Sequence, residues 1–350
     1  MSKKLFRKHE FIIALIVIAL SLAIGLINSN FFSVANYFLL IRSATIMGVF
    51  AMGVLVVLIS GGIDVSFTGI AIFAMYTTVD FLVKQGYEGG MLVPFAISAG
   101  LGLALGLFNA SLIGFFRLPT LIVTLGTLSL YRGAVLFFVG SDYYNTAELP
   151  PGIREYARAT VLTVETASGK TSLHPAIFIL IIVAILVWFV LKYTMLGRSI
   201  YAMGGDREAA ERFGFNIRSN QFVIYGFVGL VSGIGGMVVG ALFRQANPFS
   251  IVGTELDVIA AAVLGGASIA GGRGSVIGTL LGVLLITIVN NSLVLMGIPS
   301  EWQKVVVGFL ILVGTAIPIL QGRAAERRLL AARQNNDIEK AMKSGAAAGD

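Results

Sequence analysis

The chain contains no cysteine and only two histidines, His9 and His174. The lack of thiols excludes disulfides, thiolate catalysis, iron–sulfur clusters and Cys-ligated zinc. Two imidazoles far apart in sequence offer neither a metal site nor a catalytic dyad. Charge is scarce as well. Asp, Glu, Lys and Arg make up 12% of 350 residues, about half the ~25% of soluble domains. A water-exposed surface of this size cannot be covered with so little charge, and the same composition excludes disorder, collagen and coiled coil. Apolar residues are plentiful instead, at 57% with a further 42 glycines and a mean hydropathy of +0.89. This composition specifies an all-α polytopic membrane protein embedded in a lipid bilayer. The net charge of +7 reads as a sidedness signal, not as a nucleic-acid footprint.

About 20 mainly apolar residues are needed to cross a ~30 Å hydrocarbon core. Ten candidate spans follow: 11–28, 37–60, 69–83, 91–115, 119–139, 174–192, 221–243, 257–271, 275–296 and 302–320. The first follows Lys3, Lys4, Arg7 and Lys8 but lacks a small-x-small cleavage site, so it reads as a retained helix. Ten spans place both termini on one side. With the N-terminus cytoplasmic, 17 of the 25 Lys and Arg fall in cytoplasmic segments, the expected bias. The domain plan is then a cytoplasmic N-tail (1–10), a first five-helix membrane repeat (11–139) and a periplasmic loop (140–173). A second five-helix repeat (174–320) follows, containing a cytoplasmic loop (193–220), and a cytoplasmic C-tail (321–350) closes the chain.

The repeat reading rests on two pairs of similar stretches. Asn109-Ala-Ser-Leu-Ile-Gly-Phe-Phe-Arg-Leu-Pro119 resembles Asn290-Asn-Ser-Leu-Val-Leu-Met-Gly-Ile-Pro299, and Gly62-Ile-Asp-Val65 resembles Glu255-Leu-Asp-Val258. Both pairs imply an offset of five helices. An odd offset makes the second copy enter the membrane from the opposite side, an inverted-repeat transporter architecture. Spans 3 and 8 are the two shortest and occupy matched positions, which points to a solute path beside them.

Ionisable and amide groups at membrane depth are costly. Asp64, in Ser60-Gly-Gly-Ile-Asp-Val-Ser66, reads either as the cap of a broken helix or as a wall of the solute path, with Ser66 beside it. Glu255 and Asp257 open span 8 in the same manner and carry the same two readings. Asn109, Asn290 and Asn291 either line the path or bond between helices. Gly271-Gly-Arg-Gly-Ser275 is no nucleotide loop, since GxxxxGK[ST] is absent throughout; ATP hydrolysis therefore has to come from another chain.

The most specific segment is Gly197 to Gly214. Asp206 predicts a helix N-cap and Gly214 a helix stop, bracketing about two turns. A helix that short needs a docking partner. It resembles the coupling segment of ABC importer permeases, Glu-Ala-Ala, three residues, Gly, through Glu208, Ala209, Ala210 and Gly214; Gly205, Asp206 and Arg212 belong to the same segment. The chain as a whole resembles the ribose/xylose/arabinose/autoinducer-2 (simple sugar) permease family. Four further stretches carry that resemblance: Gly61-Gly-Ile-Asp-Val-Ser66, Thr124-Leu-Gly-Thr-Leu-Ser-Leu-Tyr-Arg-Gly133, Glu255 to Gly266, and Gly271 to Thr279. Thr68 stands where that family usually has Gly, Asp206 where it commonly has Asn, and Phe213 and Phe215 where it has Ser and Ile.

The resemblance implies a permease subunit and not an enzyme. It would import a simple sugar or sugar-like solute across the bacterial inner membrane by alternating access. It implies a cytoplasmic ABC ATPase, two nucleotide-binding domains fused or separate, that docks on the coupling helix and holds the ATP and Mg²⁺; no cofactor is expected on this chain. It further implies a periplasmic sugar-binding protein and a second permease copy or paralogue. An ion-coupled secondary transporter is the alternative. It fits inverted repeats and an acidic path but leaves the short cytoplasmic helix unexplained.

Overall fold

The computed structural model of the protein describes residues 2–166, 169–299, 301–309 and 312. The chain divides into two units, 1–303 and 304–350. In the second unit residues 304–309 are helical; most of the tenth expected span and all of the C-tail lie outside the described residues.

The first unit is built almost wholly from helices, because backbone N–H and C=O groups in hydrocarbon must pair within their own segment. In chain order these are α1 (Ser2–Ile27), α2 (Val34–Ile59), α3 (Phe67–Lys84), α4 (Leu92–Phe116), α5 (Thr120–Ala134) and α6 (Pro151–Arg158). A hairpin of β1 (Leu162–Thr166) and β2 (Gly169–Leu173) follows. Then come α7 (Ala176–Tyr193), α8 (Met195–Gly205), α9 (Arg207–Arg212), α10 (Ile217–Phe243), α11 (Glu255–Leu264) and α12 (Val276–Leu295). Among the described residues eight helical segments are long and apolar enough to cross a membrane: α1 from Glu10, α2, α3, α4, α5 with its π-helical extension to Val139, α7, α10 and α12.

Span 8 differs from expectation. Its apolar run continues to residue 271, but the helix stops at Leu264 after ten residues, about 15 Å of rise. Gly266 takes φ +95° and the backbone leaves the helix there. The connector expected over 140–173 holds α6 and the hairpin, and Tyr144 pairs with Ala246 across an isolated bridge.

Helix packing in lipid relies on close backbone approach at small residues. α10 packs chiefly on α4 and also on α3 and α2. The α4–α10 crossing is made of Gly102, Gly106, Gly229 and Gly233; a Cβ on Gly106 would stand 2.8 Å from Gly229 Cα. Ala71, near the start of α3, lies against Gly236 late in α10, so α3 begins part-way along α10. The connecting segment 60–66 is not helical. The non-helical segment between α10 and α11 has the same character. α12 packs on α11, α2 and α1.

Candidate functional site: a docked helix pair and two buried polar clusters

α8 and α9 form the polar appendage between α7 and α10. Thr194 caps α8 by accepting from Gly197 N–H at 3.1 Å. Asp206 closes α8 and caps α9, its Oδ1 accepting from Ala209 N–H at 2.9 Å. Phe213 ends α9, and Gly214 at φ +87° turns the chain away. Ala210 is buried, whereas Phe213 is 84% exposed. Glu208 and Arg212 face outward, joined at 3.2 Å. Six residues cannot hold a helix unaided, so α8 must anchor it.

α8 is itself pinned to the bundle. Tyr201 donates to the Gly274 carbonyl at 2.8 Å, and Gly272 N–H donates to the Ile59 carbonyl at 2.9 Å. A Cβ on Gly204 would overlap that Ile59 carbonyl and stand 2.6 Å from Gly272 N. Gly61 and Gly271, at φ +83° and +89°, bring their backbones to the same spot. One face of α8 therefore touches both the segment that leads into α3 and the segment that follows α11.

The expected path residues fall in separate places. Asp64, Ser66 and Asn109 come together. Asp64 Oδ1 accepts from Ser66 N–H at 2.7 Å and from its hydroxyl at 2.6 Å. Ser66 Oγ accepts from Asn109 Nδ2 at 2.8 Å, and Asn109 Oδ1 accepts from Tyr131 at 2.8 Å. All four are fully buried. Thr120 and Thr124 fasten Ile63 on the same segment. The cluster ties segment 60–66 to α4 and α5, the interhelical role that buried polar groups serve.

Glu255 belongs to a second cluster. It is buried at the start of α11 and accepts from both Thr68 and Arg132. Thr68 is the second residue of α3, so the carboxylate lies at two helix N-termini, where negative charge is favoured. Arg132 adds the full countercharge. Thr68, one of the departures from the simple-sugar family, thus links the two broken segments directly. Asp257 is half-buried two residues further on. Asn290 and Asn291 lie on α12, and neither side-chain carbonyl has a hydrogen-bond partner among the described residues. Sequence reasoning assigned no role to Tyr131, Arg132 or Thr68. An arginine inside a span was the available signal, since such a charge at depth requires a partner.

A third network lies at the far end of the bundle. Tyr144 donates to Asp80 Oδ1 at 2.7 Å, Lys84 to Asp80 Oδ2 at 2.8 Å, and Tyr76 to the Asp142 carbonyl at 2.9 Å. Burial and Asp80 hold the Tyr144 phenol above the usual range. No group of His, Asp or Glu that could hold a metal occurs among the described residues.

A multi-helix bundle with eight apolar helices of crossing length among the described residues, buried polar clusters and a surface helix pair describes a polytopic membrane protein. Comparison with known proteins gives the family. Residues 36–314 match the family described as branched-chain amino acid transport system / permease component, and the chain belongs to it. The chain is 30% identical to the ribose import permease protein RbsC of Escherichia coli (strain K12) over 313 residues, 89% of this chain and 94% of that protein. It is 30% identical to the autoinducer 2 import system permease protein LsrC of Shigella flexneri over 338 residues, 94% of this chain and 92% of that one. It is 35% identical to the probable ABC transporter permease protein YphD of Escherichia coli (strain K12) over 307 residues, 87% and 88% of the two chains. No solved structure matches it. The chain is a multi-pass inner-membrane permease subunit of an ABC importer, a transport protein and not an enzyme, and such a subunit works with an ATPase and a substrate-binding protein.

Proposed function

We propose that this permease imports a simple sugar or sugar-like solute by alternating access, with α9 as the surface on which the ATPase acts. The observation that carries the reading is the glycine joint. α8 rests on Ile59–Gly61 and on Gly271–Gly274 together, so displacing α9 moves the backbone next to α3 and next to α11 at once. Gly205, Asp206, Glu208, Ala209, Ala210, Arg212 and Gly214 form the coupling segment. ATP and Mg²⁺ stay on the ATPase, whose two nucleotide-binding domains are fused or separate.

The solute path runs beside Glu255 and Asp257, where α3 and α11 begin, and along Asn290 and Asn291 of α12. Asp64, Ser66 and Asn109 border it as a wall held by the bonds from Ser66 to Asp64 Oδ1, from Asn109 to Ser66 and from Tyr131 to Asn109, while Asp64 Oδ2 has no hydrogen-bond partner among the described residues. The long helix, irregular segment and later-starting helix of α2–α3 and of α10–α11 support two inverted five-helix repeats. On this reading the full count is ten spans, with both termini cytoplasmic and 140–173 periplasmic. A second copy or a paralogue completes the path, and a periplasmic sugar-binding protein delivers the solute. The relatives named for ribose and autoinducer 2 import support this solute class.

The test is ATP-driven uptake in proteoliposomes carrying the ATPase and the binding protein. Deleting 206–214, or making Glu208→Lys, abolishes uptake while membrane insertion persists; normal uptake by these variants refutes the assignment.

A further inference from the structure

At the end of the bundle remote from α8, a cleft of about 80 Å³ opens between α2, the first turn of α7 and the ends of α6, β2 and α10. Its lining includes Arg42, Arg158, Arg244 and His174, and neither Asp nor Glu. Arg42 and Arg244 are close enough to repel each other, and both act on His174. None of the three arginines forms a salt bridge among the described residues. All three arginines are exposed, so water screens their repulsion in part, and an anion held among them relieves the remainder.

His174 is not available to that anion. Its Nδ1 accepts from Ala176 N–H at 3.0 Å and its Nε2 lies 2.8 Å from the Tyr156 carbonyl. Both nitrogens are used by a neutral ring with the proton on Nε2. His174 therefore fixes the wall between α6 and α7, and the guanidiniums are left to bind. Arginine suits phosphate because its planar donors meet two oxygens at once.

Depth identifies the source of the phosphate. The apolar run of α7 starts at Ala176, on the rim of the cleft. The cleft thus sits where hydrocarbon gives way to headgroups. Below it, Phe178, Ile181 and Ile182 of α7 are all at least 43% exposed, a surface for acyl chains. Arg42 lies eight residues into α2, about 12 Å along its axis, and not at a tip that a docking protein meets first.

We infer that Arg42, Arg158 and Arg244 form a binding site for the phosphodiester headgroup of an acidic phospholipid in the leaflet at this end of the bundle. The site is independent of the coupling assignment.

Titration of the purified full-length permease in detergent, read by native mass spectrometry, tests it. The probes are dioleoyl phosphatidylglycerol, dioleoyl phosphatidylcholine and inorganic phosphate. The wild type retains phosphatidylglycerol in preference to phosphatidylcholine. Arg42→Gln and Arg244→Gln each weaken that retention about fivefold, the worth of one basic residue at an anionic surface. Arg42→Lys retains more lipid than Arg42→Gln but less than the wild type, since it keeps the charge and loses the planar fork, which separates lost charge from a damaged fold. Equal retention of the two lipids overturns the inference. So does inorganic phosphate displacing phosphatidylglycerol at equal concentration, which marks a free-anion site. In a parallel binding assay with the delivery protein, variants that keep the lipid but lose that protein assign the cleft to it and overturn the inference too.

Discussion

The Arg132–Glu255 pair joins α5 to the first residue of α11 and is the contact whose loss the structure prices most clearly. The two side chains are 27% and 10% exposed, so solvent screens them little. Removing one partner of a buried pair costs about 3–5 kcal/mol, because the survivor is left charged and unpaired. Glu255→Leu strands Arg132 with only Thr68, 3.4 Å from its guanidinium. Arg132→Met strands the carboxylate at the two helix starts. The double replacement buries no charge and returns to within about 1–2 kcal/mol of the parent, since apolar substitutes for buried pairs are often neutral. The measurement is a double-mutant cycle on thermal unfolding of detergent-purified protein. At this chain length roughly 2 °C corresponds to 1 kcal/mol, so each single variant melts about 6–10 °C lower and the double recovers most of the loss. Additive losses, with the double variant lowest of all, refute the reasoning. In that case Arg132 and Glu255 act separately.

Four further outcomes follow from the geometry. Gly204→Ala places a methyl against the Ile59 carbonyl, and ATP-driven uptake falls at least about tenfold while expression and insertion persist, as the loss of a positioning contact does; vesicle transport assays check it. Gly229→Ala forces apart the α4–α10 crossing, where a Cβ would overlap the Gly102 carbonyl, costing about 1–3 kcal/mol in thermal unfolding. Tyr144→Phe removes the hydrogen bond to Asp80 and costs about 1.5–3 kcal/mol, the range for a bond to a charged acceptor, by the same assay. His174 carries a pH signature: burial, then the charges of Arg42 and Arg244, hold its imidazole below the ordinary value, opposed by the bond to Tyr156. The unfolded chain then binds the extra proton first, so its contribution is full above the ordinary imidazole value near 6.5 and declines as pH falls through that value. A His174→Phe variant whose melting midpoint between pH 7 and 5 tracks the wild type contradicts this.

The membrane helices were legible because apolar runs of crossing length have few alternative fates. Asp206 and Gly214 were legible as helix ends because capping depends on local residue type, and the structure shows the Asp206 bond to Ala209 N–H and the left-handed Gly214. The end of α11 was not. Its apolar run continues past Leu264, and only the tertiary fit of Gly265 against Gly278 and Thr279 shows where the helix stops. The hairpin at 162–173 was hidden for another reason: both faces are largely exposed, so no apolar alternation marks it. Asp64, Ser66 and Asn109 stood out in the sequence as polar groups among apolar segments, and the structure brings the three together. Whether such groups bind one another or a solute depends on partners such as Tyr131, 22 residues from Asn109. Arg132 and Glu255 are 123 residues apart, and no local pattern pairs them. Thr68 stood out as a departure from the family pattern, but its hydroxyl's target could be seen only in three dimensions.

The absence of cysteine gives the central claim a direct test. Single cysteines at Gly205, Glu208, Arg212 and Phe213 are each unique in the chain and can be cross-linked in membranes that contain the partner ATPase. The account predicts capture of the ATPase from the exposed positions 208, 212 and 213, with a yield that changes on adding ATP. No capture from any of these positions, or labelling of them only by reagents confined to the periplasm, contradicts it.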